Sequence, residues 1–227
     1  MQKRNRRQFL EESMLAAAAA VTASSPSQLV ADRAPPTCSA TDRLGVAVLG
    51  VRGRGKSHIG FFAGRSDTEL LYLCDPDEAV GQRRADQTAR RQGGHRPHWV
   101  ADLRHALDDP RVDIVCVATP NHWHALASIW AMSAGKDVYV EKPVSHNVWE
   151  GRRLVEVARR QQRICQAGFQ ARSNPGMIAA IQYVQSGGIG DVQVARGFCY
   201  KRRGTIGPPG DYAIPSGVDF NLWSGPA

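Results

Sequence analysis

Residues 44–57 read LGVAVLGVRGRGKS, and the fold of the whole chain turns on how that stretch is parsed. An apolar run stops at Gly50, and Gly50, Gly53 and Gly55 then fall within six positions, ahead of a helix-compatible segment. A strand delivers a phosphate-cradling turn in this way. Two kinds of phosphate site share the pattern. Anchored on Gly50, Arg52 and Gly55, it is a dinucleotide fingerprint G-x-G-x-x-G with arginine in the middle position and a spare Gly53. Anchored on Gly50, Gly55, Lys56 and Ser57, it is a complete P-loop, in which backbone amides and the lysine hold a triphosphate. By pattern alone the P-loop fits better, so the flanking sequence has to decide.

Downstream the chain alternates. Strands are expected at 44–49, 69–74, 98–100, 112–118, 137–140 and 164–168. Helices are expected at 57–63, 78–91, 103–107, 123–133 and 148–161. The stretch 112–118 is an almost unbroken apolar run, as in parallel strands covered on both faces. Six such units predict an α/β fold, a doubly wound parallel sheet whose ligand lies at the carboxyl ends of the strands. Gly50, Asp75, Thr119, Glu141 and Gln170 all stand at or just past such ends and should converge.

Asp75 follows Gly50 by 25 residues, close to the roughly 20 typical of the acid that bonds the adenosine ribose. A carboxylate there favours NAD and repels the extra phosphate of NADP. Thr119-Pro120-Asn121-His122-Trp123-His124 runs from a strand onto a helix start, with Asn121 suited to an N-cap. Its two histidines have no nearby carboxylate or cysteine to complete a metal shell, so no metal site is expected. Glu141-Lys142-Pro143 closes the next strand. The proline keeps Lys142 out of helical geometry and presents it, where it can bond a substrate hydroxyl; the bland alternative is a strand-end salt bridge between Glu141 and Lys142.

Upstream, Asn5-Arg6-Arg7-Gln8-Phe9-Leu10 followed by an alanine-rich run over 13–23 has the form of a twin-arginine export signal. That run is shorter than the ~18 residues of a membrane span. The expected organisation is a leader over 1–23, a Ser/Pro-rich linker over 24–43, a dinucleotide-binding domain over 44–170 and the start of a second domain over 171–227. Twin-arginine export carries folded proteins, so a cofactor can be bound before crossing, and outside the cytoplasm ATP is scarce. This weighs against the P-loop.

The composition of 227 residues, 42% hydrophobic with mean hydropathy −0.35, is that of a soluble globular chain. Its net charge of +8 falls to +6 without the leader's four basic and two acidic residues, and the arginines are scattered in pairs as on solvated helix faces. Nucleic acid is therefore not an expected partner. Five cysteines, at 38, 74, 116, 165 and 199, show no C-x-x-C pair; neither a disulfide nor a zinc site is expected.

GVRGRG (50–55), CDPD (74–77), ATPNHWHA (118–125), AGKDVYVEKPVS (134–145) and GFQARSNP (168–175), in this order and spacing, resemble the glucose-fructose oxidoreductase, inositol dehydrogenase and rhizopine-catabolism (Gfo/Idh/MocA) family. The resemblance implies a Rossmann domain followed by an α+β domain with an open-faced antiparallel sheet. It also implies NAD, with NADP as the alternative, and a sugar, polyol or cyclitol substrate. Carried over, Gly50, Gly53 and Gly55 approach the pyrophosphate, with Arg52 and Arg54 beside it. Asp75 holds the ribose. Thr119, Pro120, Asn121, His124, Glu141 and Gln170 line the cofactor, and Lys142 is the catalytic lysine.

A helix over 174–186 and a strand over 191–201 should open the second domain. The final stretch, 215–227, resembles a segment that bacterial members carry inside that domain, ahead of an aspartate and histidine that accompany the lysine. The chain thus reads as a fragment, inactive alone, that forms a homo-oligomer only with a complete second domain. The leading expectation is an exported, periplasmic NAD(P)-dependent oxidoreductase without a stable membrane anchor, which meets the twin-arginine machinery on its way out. The alternatives are an NAD-dependent glycosidase of the same fold, a non-catalytic dinucleotide-binding protein, and the P-loop NTPase.

Overall fold

The computed structural model describes residues 43–199 and 204–226; the expected leader and the linker up to residue 42 lie outside the described residues. Six strands, β1 (Leu44–Leu49), β2 (Thr68–Cys74), β3 (His98–Val100), β4 (Val112–Val117), β5 (Asp137–Glu141) and β6 (Cys165–Gly168), form one sheet in the order β3-β2-β1-β4-β5-β6. Every pairing is parallel. The helices are α1 (Gly53–Phe62), α2 (Glu78–Ala89), α3 (Arg104–Leu107), α4 (Asn121–Ser133), α5 (Val148–Gln161), α6 (Pro175–Gln185) and α7 (Phe220–Ser224).

The apolar run of β1 has no polar face because it is covered twice. Val46 and Val48 pack with Ile59 of α1, with Ala63 at its C-cap, and with Val80 and Ala85 of α2. Ala47 and Leu49 pack with Ala127, Ala131 and Met132 of α4 and with Leu154 and Val157 of α5. Each fully buried Val or Leu of this kind contributes roughly 1.5–3 kcal/mol of transfer free energy. The chain first walks outward from β1 to β3 and then crosses to β4 on the other side of β1. A crevice therefore opens between the tips of β1 and β4.

The sequence also sets the helix starts. Asp77 accepts from Val80 N at 3.1 Å and caps α2. Asn147 accepts from Glu150 N at 2.9 Å while the Glu150 carboxylate returns to His146 N, a reciprocal cap for α5. Asn174 accepts from Met177 N at 3.1 Å and caps α6.

Three expectations are corrected. Helix α1 begins at Gly53 rather than at 57, because the glycine turn leads straight into it. Asn121 does not cap α4 but is its first residue; Pro120, with φ −56° and ψ 152°, makes the non-helical entry. The strand expected over 191–201 is absent from its described part, 191–199. Val192 and Val194 are exposed there, and alternation alone does not make a strand where the described residues offer no neighbour to pair with.

Candidate functional site

Gly50 ends β1 with φ +80°, and a Cβ there would stand 2.6 Å from the Ala118 carbonyl oxygen at the tip of β4. A Cβ on Gly55 would lie 1.8 Å from the Gly50 carbonyl oxygen. These two glycines let α1 start tight against the ends of β1 and β4. Arg52, between them, has φ −87° and ψ −174°, extended backbone open to any residue, so no backbone conformation demands glycine at the middle position of the fingerprint. The first turn of α1 carries no side-chain cap and no acid. Its leading N–H groups, at the positive end of the helix dipole, are disposed to receive an anion.

The P-loop reading fails on helical phase. Lys56 does not turn toward the glycine turn; it lines a separate cavity of about 420 Å³ with Ile59, Arg84, Thr88 and Arg91.

One crevice of about 700 Å³ lies over the tips of β2, β1, β4 and β5. Gly50, Arg52, Gly53 and Arg54 line it from the end of β1, and Asp75 and Asp77 from the end of β2. Thr119, Pro120, Asn121 and His124 enter from β4, and Glu141 and Lys142 from β5. Two expected site residues do not line it. Gly55 packs beneath the turn, and Gln170 stands beyond β6, reaching the site only through Glu141.

Asp75 is 7% exposed. Its carboxylate accepts from Val51 N and from Asp77 N, each at 3.1 Å, which fixes its direction at the end of β2. Burial raises its pKa above the ordinary carboxylate value despite the two amides. Arg52 reaches Asp77 rather than standing free for phosphate, and the ion pair lies at the mouth of the crevice. Thr119 Oγ1 is buried without a hydrogen-bond partner, so a polar group of an incoming ligand would satisfy it.

His124, 2% exposed, was expected to line the cofactor, and it does border the crevice. However, its Nε2 faces the Thr119 carbonyl at 2.9 Å and its Nδ1 faces the Pro143 carbonyl. It ties the end of β4 to the end of β5. His122 likewise faces the Trp223 carbonyl through Nε2 at 3.0 Å. Cys74 borders the crevice but is buried, and burial pushes its thiol far above the ordinary range, away from thiolate chemistry.

Glu141, 4% exposed, does not pair with Lys142. Its Oε1 accepts from His58 Nε2 at 2.9 Å, from Gln170 Nε2 at 2.7 Å and from Arg54 Nε at 3.4 Å. Burial works to raise its pKa, but the hydrogen bonds from Gln170 and His58 and the Arg54 charge outweigh it, and the carboxyl titrates below its ordinary value. Burial lowers the pKa of His58, and Glu141 only partly offsets this. At neutral pH the pair is therefore a neutral imidazole donating to a carboxylate. Lys142 is exposed, with no carboxylate partner among the described residues.

The His58 shift sets a pH dependence. Its folded pKa lies below the ordinary 6.5, so on acidification the unfolded chain binds the proton first and stability falls as pH drops below about 6.5. Glu141, depressed below its ordinary 4.5, adds a second loss of the same sign at lower pH. His58→Gln retains a donor to Glu141 but does not titrate, and melting curves from about pH 7.5 to 5 should decline less steeply for it than for wild type. Parallel curves would remove His58 from this account.

Asp77, His58 and the segment 215–223 were missed as site elements. Asp77 was visible as the second acid of CDPD, and His58 three residues after Gly55 had the spacing to share its helix face. Nothing in the sequence placed residues 215–223 against the crevice.

Residues 44–169 match the family described as "Oxidoreductase family, NAD-binding Rossmann fold", Gfo/Idh/MocA. The chain is 31% identical over 175 residues to scyllo-inositol 2-dehydrogenase (NAD(+)) of Bacillus subtilis (strain 168), covering 77% of this chain and 48% of that protein. It is 30% identical over 203 residues to a glycosyl hydrolase family 109 protein of Shewanella baltica (strain OS155 / ATCC BAA-1091), covering 83% and 44%. Among solved structures, GenD2 from gentamicin A biosynthesis, in complex with NAD, superposes with a TM-score of 0.59 at 28% identity, covering 68% of this chain and 42% of that one. An NAD binding oxidoreductase from Klebsiella pneumoniae gives 0.55 at 28%, covering 65% and 40%. The chain thus spans about half or less of the length of these relatives. With the glycine turn, the acid ending β2 and the Glu-Lys-Pro tip of β5 gathered around one crevice, the chain belongs to the Gfo/Idh/MocA oxidoreductase family.

Proposed function

We propose that this protein is an NAD-dependent oxidoreductase acting on a hydroxyl of a sugar or cyclitol, with Lys142 at the reacting end. The observation that carries this reading is the placement of Asp75 and Lys142 in one crevice on either side of the glycine turn. Their strands, β2 and β5, are three strand spacings apart, roughly 14 Å, a separation suited to an extended dinucleotide.

The residues present fit NAD. The uncapped amides at the start of α1 suit its pyrophosphate, the fixed Asp75 carboxylate suits ribose hydroxyls, and Thr119 Oγ1 offers a buried polar atom with no other partner. When bound, NAD supplies the acceptor for a hydride from the carbon bearing the substrate hydroxyl. Lys142 donates to that hydroxyl oxygen and orients it, the hydroxyl proton leaving to solvent at this exposed strand end, while His58, Gln170 and Arg54 hold the adjacent Glu141 and so fix the strand end that presents the lysine. The Bacillus subtilis relative, named for scyllo-inositol, supports the substrate class.

Calorimetric titration tests the reading. NAD is expected to bind, and NADP at least about tenfold more weakly, because its added phosphate meets the Asp75 and Asp77 carboxylates. Binding of neither would overturn the assignment. Release of a chromogenic aglycone without net NADH would replace the oxidoreductase with a glycosidase, the reading that the family 109 relatives suggest. We further propose export, supported by the twin-arginine motif and the alanine-rich run that follows it. Finding the whole cellular pool in the cytoplasm would overturn that part.

A further inference from the structure

We infer that residues 215–223 form a strap that closes the adenosine end of the crevice and supplies the wall against which the adenine ring lies. The inference rests on the dinucleotide reading above and adds a segment far from the fingerprint in sequence.

The strap is anchored on two banks. On the first, the turn after Asp75, Glu78 N donates to the Gly217 carbonyl and Asp219 N to the Pro76 carbonyl, each at 3.0 Å, and Val218 forms an antiparallel bridge with Asp77. On the second, the start of α4 just after Thr119, Trp123 Nε1 donates to the Leu222 carbonyl at 3.0 Å and His122 Nε2 meets the Trp223 carbonyl at 3.0 Å. Asp219 accepts from Leu222 N at 2.9 Å and turns the segment into α7 between the banks. Every strap atom in the anchoring hydrogen bonds to the banks is main chain, and the Trp223 ring adds an edge contact to His122 with centroids 5.8 Å apart.

Those side chains serve the crevice instead. Pro215, Val218, Leu222 and Trp223 line it, facing the segment with Leu103 that follows β3. The surface is apolar and partly flat, and it adjoins the Asp75 carboxylate. The part of a dinucleotide that is flat and apolar next to a ribose is a nucleobase. At this end, three strands from Lys142, that base is adenine. Enclosed by main-chain bonds on both sides, the adenosine half leaves only when the strap lifts.

The experiment uses the full chain with ADP-ribose, which keeps the adenosine half and lacks nicotinamide. Leu222→Ala combined with Trp223→Ala is expected to weaken NAD and ADP-ribose by the same factor, roughly tenfold for loss of a base-stacking wall. ADP-ribose binding as in wild type would overturn the strap while leaving the dinucleotide site intact. In the unmodified protein, where folding of a variant is not in question, ADP-ribose should slow hydrogen exchange at the Glu78 and Asp219 amides. Unchanged exchange with ADP-ribose bound would also overturn the proposal. If the wild-type chain binds neither ligand, the dinucleotide reading itself falls, and the strap with it.

Discussion

Gly55→Val is expected to abolish NAD binding and to destabilise the domain by about 3–5 kcal/mol, which lowers its melting temperature by on the order of 10 °C. The size follows from what the added carbon meets. At 1.8 Å from the Gly50 carbonyl oxygen and 2.8 Å from the carbonyl carbon, it strikes backbone on the turn itself, so no side chain can rotate away. Helix α1 would have to leave the tips of β1 and β4. Its buried face carries Ile59 into the core and His58 onto Glu141, so the displacement would reach the far end of the crevice. Thermal melts with parallel NAD titrations check this. A variant that melts within about a degree of wild type and still binds NAD would contradict the packing argument.

Lys142→Met is expected to show the opposite pattern: an intact fold and undisturbed NAD affinity in this chain and, in a protein that carries the complete second domain, turnover reduced by about a thousandfold, within the range for loss of a group positioned on the reacting hydroxyl. Methionine keeps an apolar stem of similar length and removes the ammonium. The neighbouring Glu141 is held by His58, Gln170 and Arg54, not by Lys142, so the strand end keeps its shape without the charge. The comparison needs kcat on the sugar or cyclitol turned over, together with an NAD titration and a melt. Turnover within a few-fold of wild type would remove Lys142 from the reaction.

The sequence made the sheet legible because β1 and β4 are covered on both faces and read as apolar runs, β4 broken only at Asp113. Once their order is that of a doubly wound sheet, convergence of Gly50, Asp75, Thr119 and Glu141 follows from topology. Helix phase did not follow. Starting α1 four residues earlier than its composition suggests is what turns His58 inward and Lys56 away, and this defeats the more complete of the two phosphate-loop patterns. Long-range pairs were also unreadable. Arg52 with Asp77 and His58 with Glu141 join residues 25 and 83 positions apart, and no local preference encodes either. The alternation over the described part of that stretch, 191–199, misled for a related reason: a strand depends on a neighbour as well as on its own residues.

The ring of His124, which lies between the Thr119 and Pro143 carbonyls while Ser128 Oγ donates to the His124 carbonyl at 2.7 Å, has a consequence for the order in which the molecule comes apart. The crevice floor is riveted across two adjacent strand ends, whereas α6 exposes Met177, Ile178 and Ile181 and is poorly buried. Heating or denaturant should therefore melt that periphery first and breach the floor only when the whole sheet gives way. The crevice floor would then keep its contours after the outer helix had gone.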